Sequence, residues 1–226
     1  MAVSRVGSWA AMSTGSEPSG TVTIGSGSNR MLVFLMFRER GTDWEATTFT
    51  IGGQSFSYYG NSYLDSTPDL FVRAWIWNES AIAGMSGNTI SYADNTTGAK
   101  ISWSSATFQD CEQVEPDIST GSVVGGQYID LDAESAPASA ELICGVVDKS
   151  ANRDPFSFTG GLSERVAYDA ADFANSIADN NSDGSTDPIR VSNDGYDSNM
   201  AAMLVILTAA ADIKRSGQLA SIGVGR

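Results

Sequence analysis

Hydrophobic positions come in short runs separated by Gly, Ser, Asn and Pro, and most runs alternate. The exception is Met31 to Phe37, seven apolar residues in a row between Gly25-Ser26-Gly27-Ser28 and Arg38-Glu39-Arg40-Gly41. The run is too short for a globular helix and reads as a strand. Leu32, Phe34 and Met36 point one way, and Met31, Val33, Leu35 and Phe37 the other. A strand apolar on both sides is central and covered on both. Leu70 to Trp77 is the second strong run, with Leu70, Val72, Ala74 and Ile76 on a core face. Phe71, Trp75 and Trp77 lie opposite with Arg73 among them.

Further strands are expected at Thr21 to Ile24, around Phe49 and Ile51, from Gln54 to Tyr59, and at Thr89 to Tyr92, Lys100 to Phe108 and Tyr128 to Leu131. Others follow at Glu141 to Val147, Phe156 to Thr159, Glu164 to Tyr168 and Ala202 to Thr208. Gly52-Gly53 is a hairpin signal. Pro116 and Gly121 bracket a turn. Asp169 to Asp179 breaks the rhythm, and its Phe173/Ile177 spacing predicts one or two helical turns. Many short strands with almost no helix predict an all-β fold, an antiparallel two-sheet sandwich of jelly-roll type. The expected organisation is an N-terminal arm at 1–19, one domain at 20–209 and a C-terminal tail at 210–226.

The 226 residues carry 27 acids against 13 Lys and Arg, with no His, for a formal charge of −14. Residues 41–148 hold fifteen acids against only Arg73 and Lys100. Nucleic acid is therefore not an expected partner, since phosphate recognition needs concentrated basic residues. The first dozen residues lack the apolar core of a secretory signal, so synthesis in the cytoplasm is expected. Met200 to Ala211 falls short of the roughly 20 residues of a spanning helix, and no membrane partner is expected.

Without His there is no His-based triad and no Cys/His zinc site. Cys111 and Cys144 are expected as buried free thiols. No phosphate loop or nucleophile elbow stands in the sequence, and no enzyme is expected. The one metal-like pattern is Asp179-Asn180-Asn181-Ser182-Asp183-Gly184-Ser185-Thr186-Asp187. Asp179, Asn181, Asp183 and Asp187 occupy positions 1, 3, 5 and 9 of a Ca²⁺ loop, Gly184 allows the turn and Ser185 offers a carbonyl. The bidentate Glu is replaced by Arg190. The competing reading is a solvated turn. Any calcium here would staple the loop rather than take part in catalysis.

The aromatic face of Phe71, Trp75 and Trp77 has three readings: cover by the chain's own loops, a subunit interface, or a sugar-stacking platform. Trp9 either tucks onto the body or reaches a neighbour. Lys214, Arg215 and Arg226 make the tail basic and suited to an acidic neighbour.

Gly27-Ser28-Asn29-Arg30-Met31-Leu32-Val33, the hairpin Ile51-Gly52-Gly53-Gln54, the strand Val72-Arg73-Ala74-Trp75 and the segment Phe108 to Pro116 follow one another in order. In that order, with Gly161 to Arg165 and Met203 to Leu207 after them, they resemble a β-sandwich domain of tailed-phage structural proteins and large bacterial surface proteins. Asp110 and Cys111 depart from the Gly-Val usual there. The resemblance implies a virion location and a structural role, most readily capsid decoration or a minor head component. It further implies partners among copies of the chain itself, a trimer for example, and other virion proteins. A carbohydrate-binding or adhesive module, including a tail or fibre part, is the alternative.

Overall fold

The computed structural model describes residues 2–15, 17–40, 46–65, 69–94, 100–133, 136–149, 156–170, 173–182, 184, 187–193 and 197–210. The strands are β1 (Ser4–Val6), β2 (Ser13–Gly15), β3 (Met31–Arg40), β4 (Ala46–Ile51), β5 (Gln54–Ser55), β6 (Tyr58–Leu64), β7 (Asp69–Trp77), β8 (Ile90–Asp94) and β9 (Lys100–Gln109). They continue as β10 (Asp117–Gly126), β11 (Tyr128–Leu131), β12 (Glu141–Lys149), β13 (Phe156–Phe158), β14 (Ser163–Ala170), β15 (Phe173–Asn181), β16 (Ile189–Asn193) and β17 (Ser198–Leu207). One short helix, α1 (Glu79–Ala83), follows β7 and is capped by the Asn78 side chain, which accepts from the Ala81 amide.

Two principal antiparallel sheets face each other. The first runs β1-β9-β3-β7-β6, with β2 also on β9, and the second runs β10-β17-β12-β15-β14. Met31, Val33, Leu35 and Phe37 of β3 meet Ile143 and Val147 of β12 and Met203 and Val205 of β17 in the core between them. Each sheet is also apolar on its far side, and each far side has its own small cover. β5-β4-β8 and α1 bring Phe49, Ile51, Ile90 and Ile82 onto Leu32, Phe34, Met36, Trp75 and Trp77. β11-β16-β13 brings Ile129, Leu131, Ile189 and Val191 onto Cys144, Val146, Leu204 and Ile206. The sandwich is therefore covered outside as well as filled inside. The continuous apolar runs of β3 and β17 have this cause.

Backbone conformation follows local chemistry. Gly52 and Gly53, at φ +56° and +80°, form the two-residue turn between β4 and β5. Gly60 lets β6 approach the second sheet, because a Cβ there would stand 2.7 Å from Ile118. Both cysteines are free and buried.

The expected helical turns at 169–179 are instead strand: β14 continues to Ala170 and β15 begins at Phe173. Phe173 and Ile177 are four apart, an even spacing that shares a face in a strand as well as in a helix, and pairing with β12 decides between the two. The turn expected at 116–121 is the start of β10, whose Ser, Thr and Gly residues pair with β17. Thr21 to Ile24 contributes only a bridge from Thr21 to Thr89. The arm is part of the first sheet, since β1 and β2 both pair with β9. Among the described residues no helix is long and apolar enough to cross a membrane.

Candidate functional site

Two of the segments that carry the resemblance, Gly27 to Val33 and Phe108 to Pro116, meet at one end of the first sheet. Asn29 takes φ +51°, a left-handed turn that Asn tolerates, and aims Arg30 at α1. Arg30 holds Glu79 through Nε (3.0 Å to Oε2) and Nη2 (2.5 Å to Oε1), and its Nη1 donates to the Gly25 carbonyl at 3.1 Å. The Glu79 amide donates to Gln113 Oε1 at 2.7 Å, and Gln113 Nε2 donates to the Cys111 carbonyl at 3.1 Å. The fork holds Arg30 above, and Glu79 below, its ordinary range, chiefly through the hydrogen bonds between them. Arg30 thus both anchors the Gly25 turn and pairs with a carboxylate. Arg30 and Gln113 from these two segments, with Gly25 and Glu79 from outside them, brace the strand end.

A second cluster joins the arm to the body. Asp179, fully buried on β15, accepts from Arg5 of β1 and Arg165 of β14, and from Trp9 Nε1 at 2.7 Å. Trp9 packs edge-on against Phe108 at 6.0 Å between centroids. Asn181 Nδ2 donates to the Val3 carbonyl at 2.8 Å and to Glu141 Oε2 at 2.9 Å. Burial, and then the charge of Asp179, push the Glu141 carboxyl up to about 7, while Arg5 and Arg165 pull the other way. Two carboxylates with so different an environment are the raw material of acid–base chemistry. Here Asp179 is engaged by Arg5 and Trp9 of the arm and by Arg165, and Glu141 by Asn181, and what the cluster does is attach residues 3–9.

Part of the expected calcium loop lies among the described residues. Asp179 lies in a strand with its oxygens taken by arginine and tryptophan, and Asn181 is tied by its amide to the arm and Glu141. Asp187 is exposed, and Asp183 and Ser185 lie outside the described residues. Among the described residues no group of three or more His, Cys, Asp or Glu is placed to hold a metal.

The aromatic face is buried by the chain itself. Phe71, Trp75 and Trp77 are at most 2% exposed, so of the three readings the first holds in this structure. Phe49 sits at the hub of the cover, edge-on to Trp75 at 4.7 Å, Phe34 at 4.9 Å and Trp77 at 5.3 Å. Trp9, the other aromatic proposed to reach a neighbour, is tucked onto its own body. Lys214, Arg215 and Arg226 lie outside the described residues.

What remains apolar and exposed is elsewhere. Phe56, Tyr59 and Tyr63 flank or lie on β6, and Val124 lies on β10, 64% exposed. Among the described residues β6 and β10 are the last strands on the same side of the two principal sheets, linked by Ser62 Oγ donating to the Gly121 carbonyl at 3.1 Å. From Tyr58 to Leu64 and from Ile118 to Gly126 neither strand carries a charge. Edge strands of that kind invite pairing with another chain. The sequence hides this surface because Ser, Thr and Gly dominate β10 and read as turn. Compared with protein-family models, curated proteins and solved structures, the chain has no match.

Proposed function

We propose that the chain is a structural component of a tailed-phage particle, a capsid decoration or minor head protein that works as repeated copies and catalyses nothing. The observation that carries this reading is the node around Arg30. Arg30 and Gln113, from two of the segments that carry the resemblance to phage structural domains, hold a strand end together through Glu79. A binding role rests on the uncharged β6 and β10 edges, where Tyr59, Tyr63 and Val124 supply the apolar contacts. The −14 charge then steers encounters and prevents indiscriminate aggregation. The sugar-stacking alternative loses its platform with Phe71, Trp75 and Trp77 covered.

Sedimentation equilibrium tests the reading. The intact protein at tens of micromolar is expected to show a mass above that of one 23.8 kDa chain, a trimer for example. Val124→Lys, which adds a charge to the β10 edge, is expected to weaken association at least about tenfold without loss of fold. A strict monomer under these conditions counts against repeated self-contact.

A further inference from the structure

At the far end of β12 from Glu141 lies a second buried carboxylate, Asp148, 1% exposed. It meets Asn193 from the end of β16 and Ser198 from the start of β17, residues 2% and 6% exposed. Asn193 Nδ2 donates to Asp148 Oδ2, and Ser198 Oγ lies 3.5 Å from the same amide nitrogen. The Ser198 hydroxyl also bonds the Asp148 carboxylate. Two oxygens in this cluster, Asp148 Oδ1 and Asn193 Oδ1, are buried without a hydrogen-bond partner among the described residues.

A buried acceptor without a partner is costly, and two in one cluster, with no cation among their partners in the described residues, call for a donor or a positive charge. The donor set is a carboxylate, an amide carbonyl and a hydroxyl. All are hard oxygen ligands, with neither sulfur nor imidazole, which suits Ca²⁺ rather than zinc or copper. The three residues come from two layers: β12 and β17 of the second principal sheet and β16 of its cover.

We propose that Asp148, Asn193 and Ser198 supply the side-chain oxygens of a site for a Ca²⁺-type cation, which pins the β11-β16-β13 cover to the second principal sheet. The site is distinct from the Asp179-to-Asp187 pattern and does not depend on the chain's place in a particle.

The test is calorimetric titration of the chelator-stripped intact chain with CaCl₂ at pH 8, with melting temperature followed in parallel. Saturable uptake of one equivalent and a rise in melting temperature are expected. Asp148→Asn should weaken uptake at least about a hundredfold and Asn193→Asp, which adds a ligand charge, should tighten it about tenfold. Asp183→Ala should leave it unchanged. No heat and no shift in melting temperature up to millimolar Ca²⁺ would overturn the proposal, and so would uptake that survives Asp148→Asn or disappears in Asp183→Ala. If Asp148→Asn does not fold, Asn193→Asp decides: tighter binding supports the site and unchanged binding rejects it.

Discussion

Replacing Phe49 with alanine is expected to cost about 3–5 kcal/mol and to uncover the outer face of the first principal sheet. Phe49 is the cover's main contact with that face. Its ring is edge-on to Phe34, Trp75, Trp77 and Tyr92, with centroids from 4.7 to 5.7 Å away. Such pairs contribute beyond the area they bury, so the loss exceeds that of an isolated phenylalanine. The small sheet β5-β4-β8 gains little by itself, because two- and three-stranded pieces of this size need a hydrophobic face to lie on. Urea unfolding read by tryptophan fluorescence gives the cost, and binding of a hydrophobic dye gives the exposure. A variant losing under about 1 kcal/mol with no dye binding would mean that the cover is held by other contacts.

Asp179→Ala is expected to destabilise by about 3 kcal/mol and to release the arm. The change leaves Arg5 and Arg165 without their shared anion, and Trp9 without its acceptor. Faster proteolysis within residues 2–12 and an altered Trp9 environment should accompany the loss, while β12 and β17 stay protected. The same cluster sets a pH dependence opposite in sign to that of most carboxylates. Glu141 has a folded value near 7 against an ordinary 4.5, so folding favours its protonated form. Its contribution is therefore present in full below about pH 4.5 and is lost as pH rises to about 7, an effect of about 1–3 kcal/mol after partial solvent screening. Glu141→Gln should flatten the unfolding free energy over that window. A profile unchanged by the substitution would place the titration elsewhere.

The fold was legible where apolar residues were continuous. Met31 to Phe37 could only be a strand covered on both sides, and β3 lies between β7 and β9 with a cover on each face. What failed was periodicity that fits two structures at once, as at Phe173 and Ile177, and strands written in turn residues, as in β10. β16 was missed because five residues with two apolar positions, Ile189 and Val191, carry too little pattern. The node at Arg30 joins residues 49 and 83 positions apart, and nothing local named Glu79 or Gln113 as its partners. The Asp179 cluster was no more legible. Arg5, Arg165 and Asp179 stand far apart in sequence, and only the pairing of β14 with β15 and of β1 with β9 brings them together. In the Asp179-to-Asp187 pattern, Asp179 and Asn181 belong to β15, which composition alone did not reveal because loop and strand-end residues share it.

The central claim, that this chain occupies repeated places on a phage particle, is tested most directly by counting. Purified protein is added to heads of the phage that this reading assigns it to, assembled without it, and bound copies per head are measured as free concentration rises. Saturation at a fixed copy number, with the bound chain on lattice-related positions in images of the heads, is the result the account predicts. Heads that remain bare at tens of micromolar protein would contradict it.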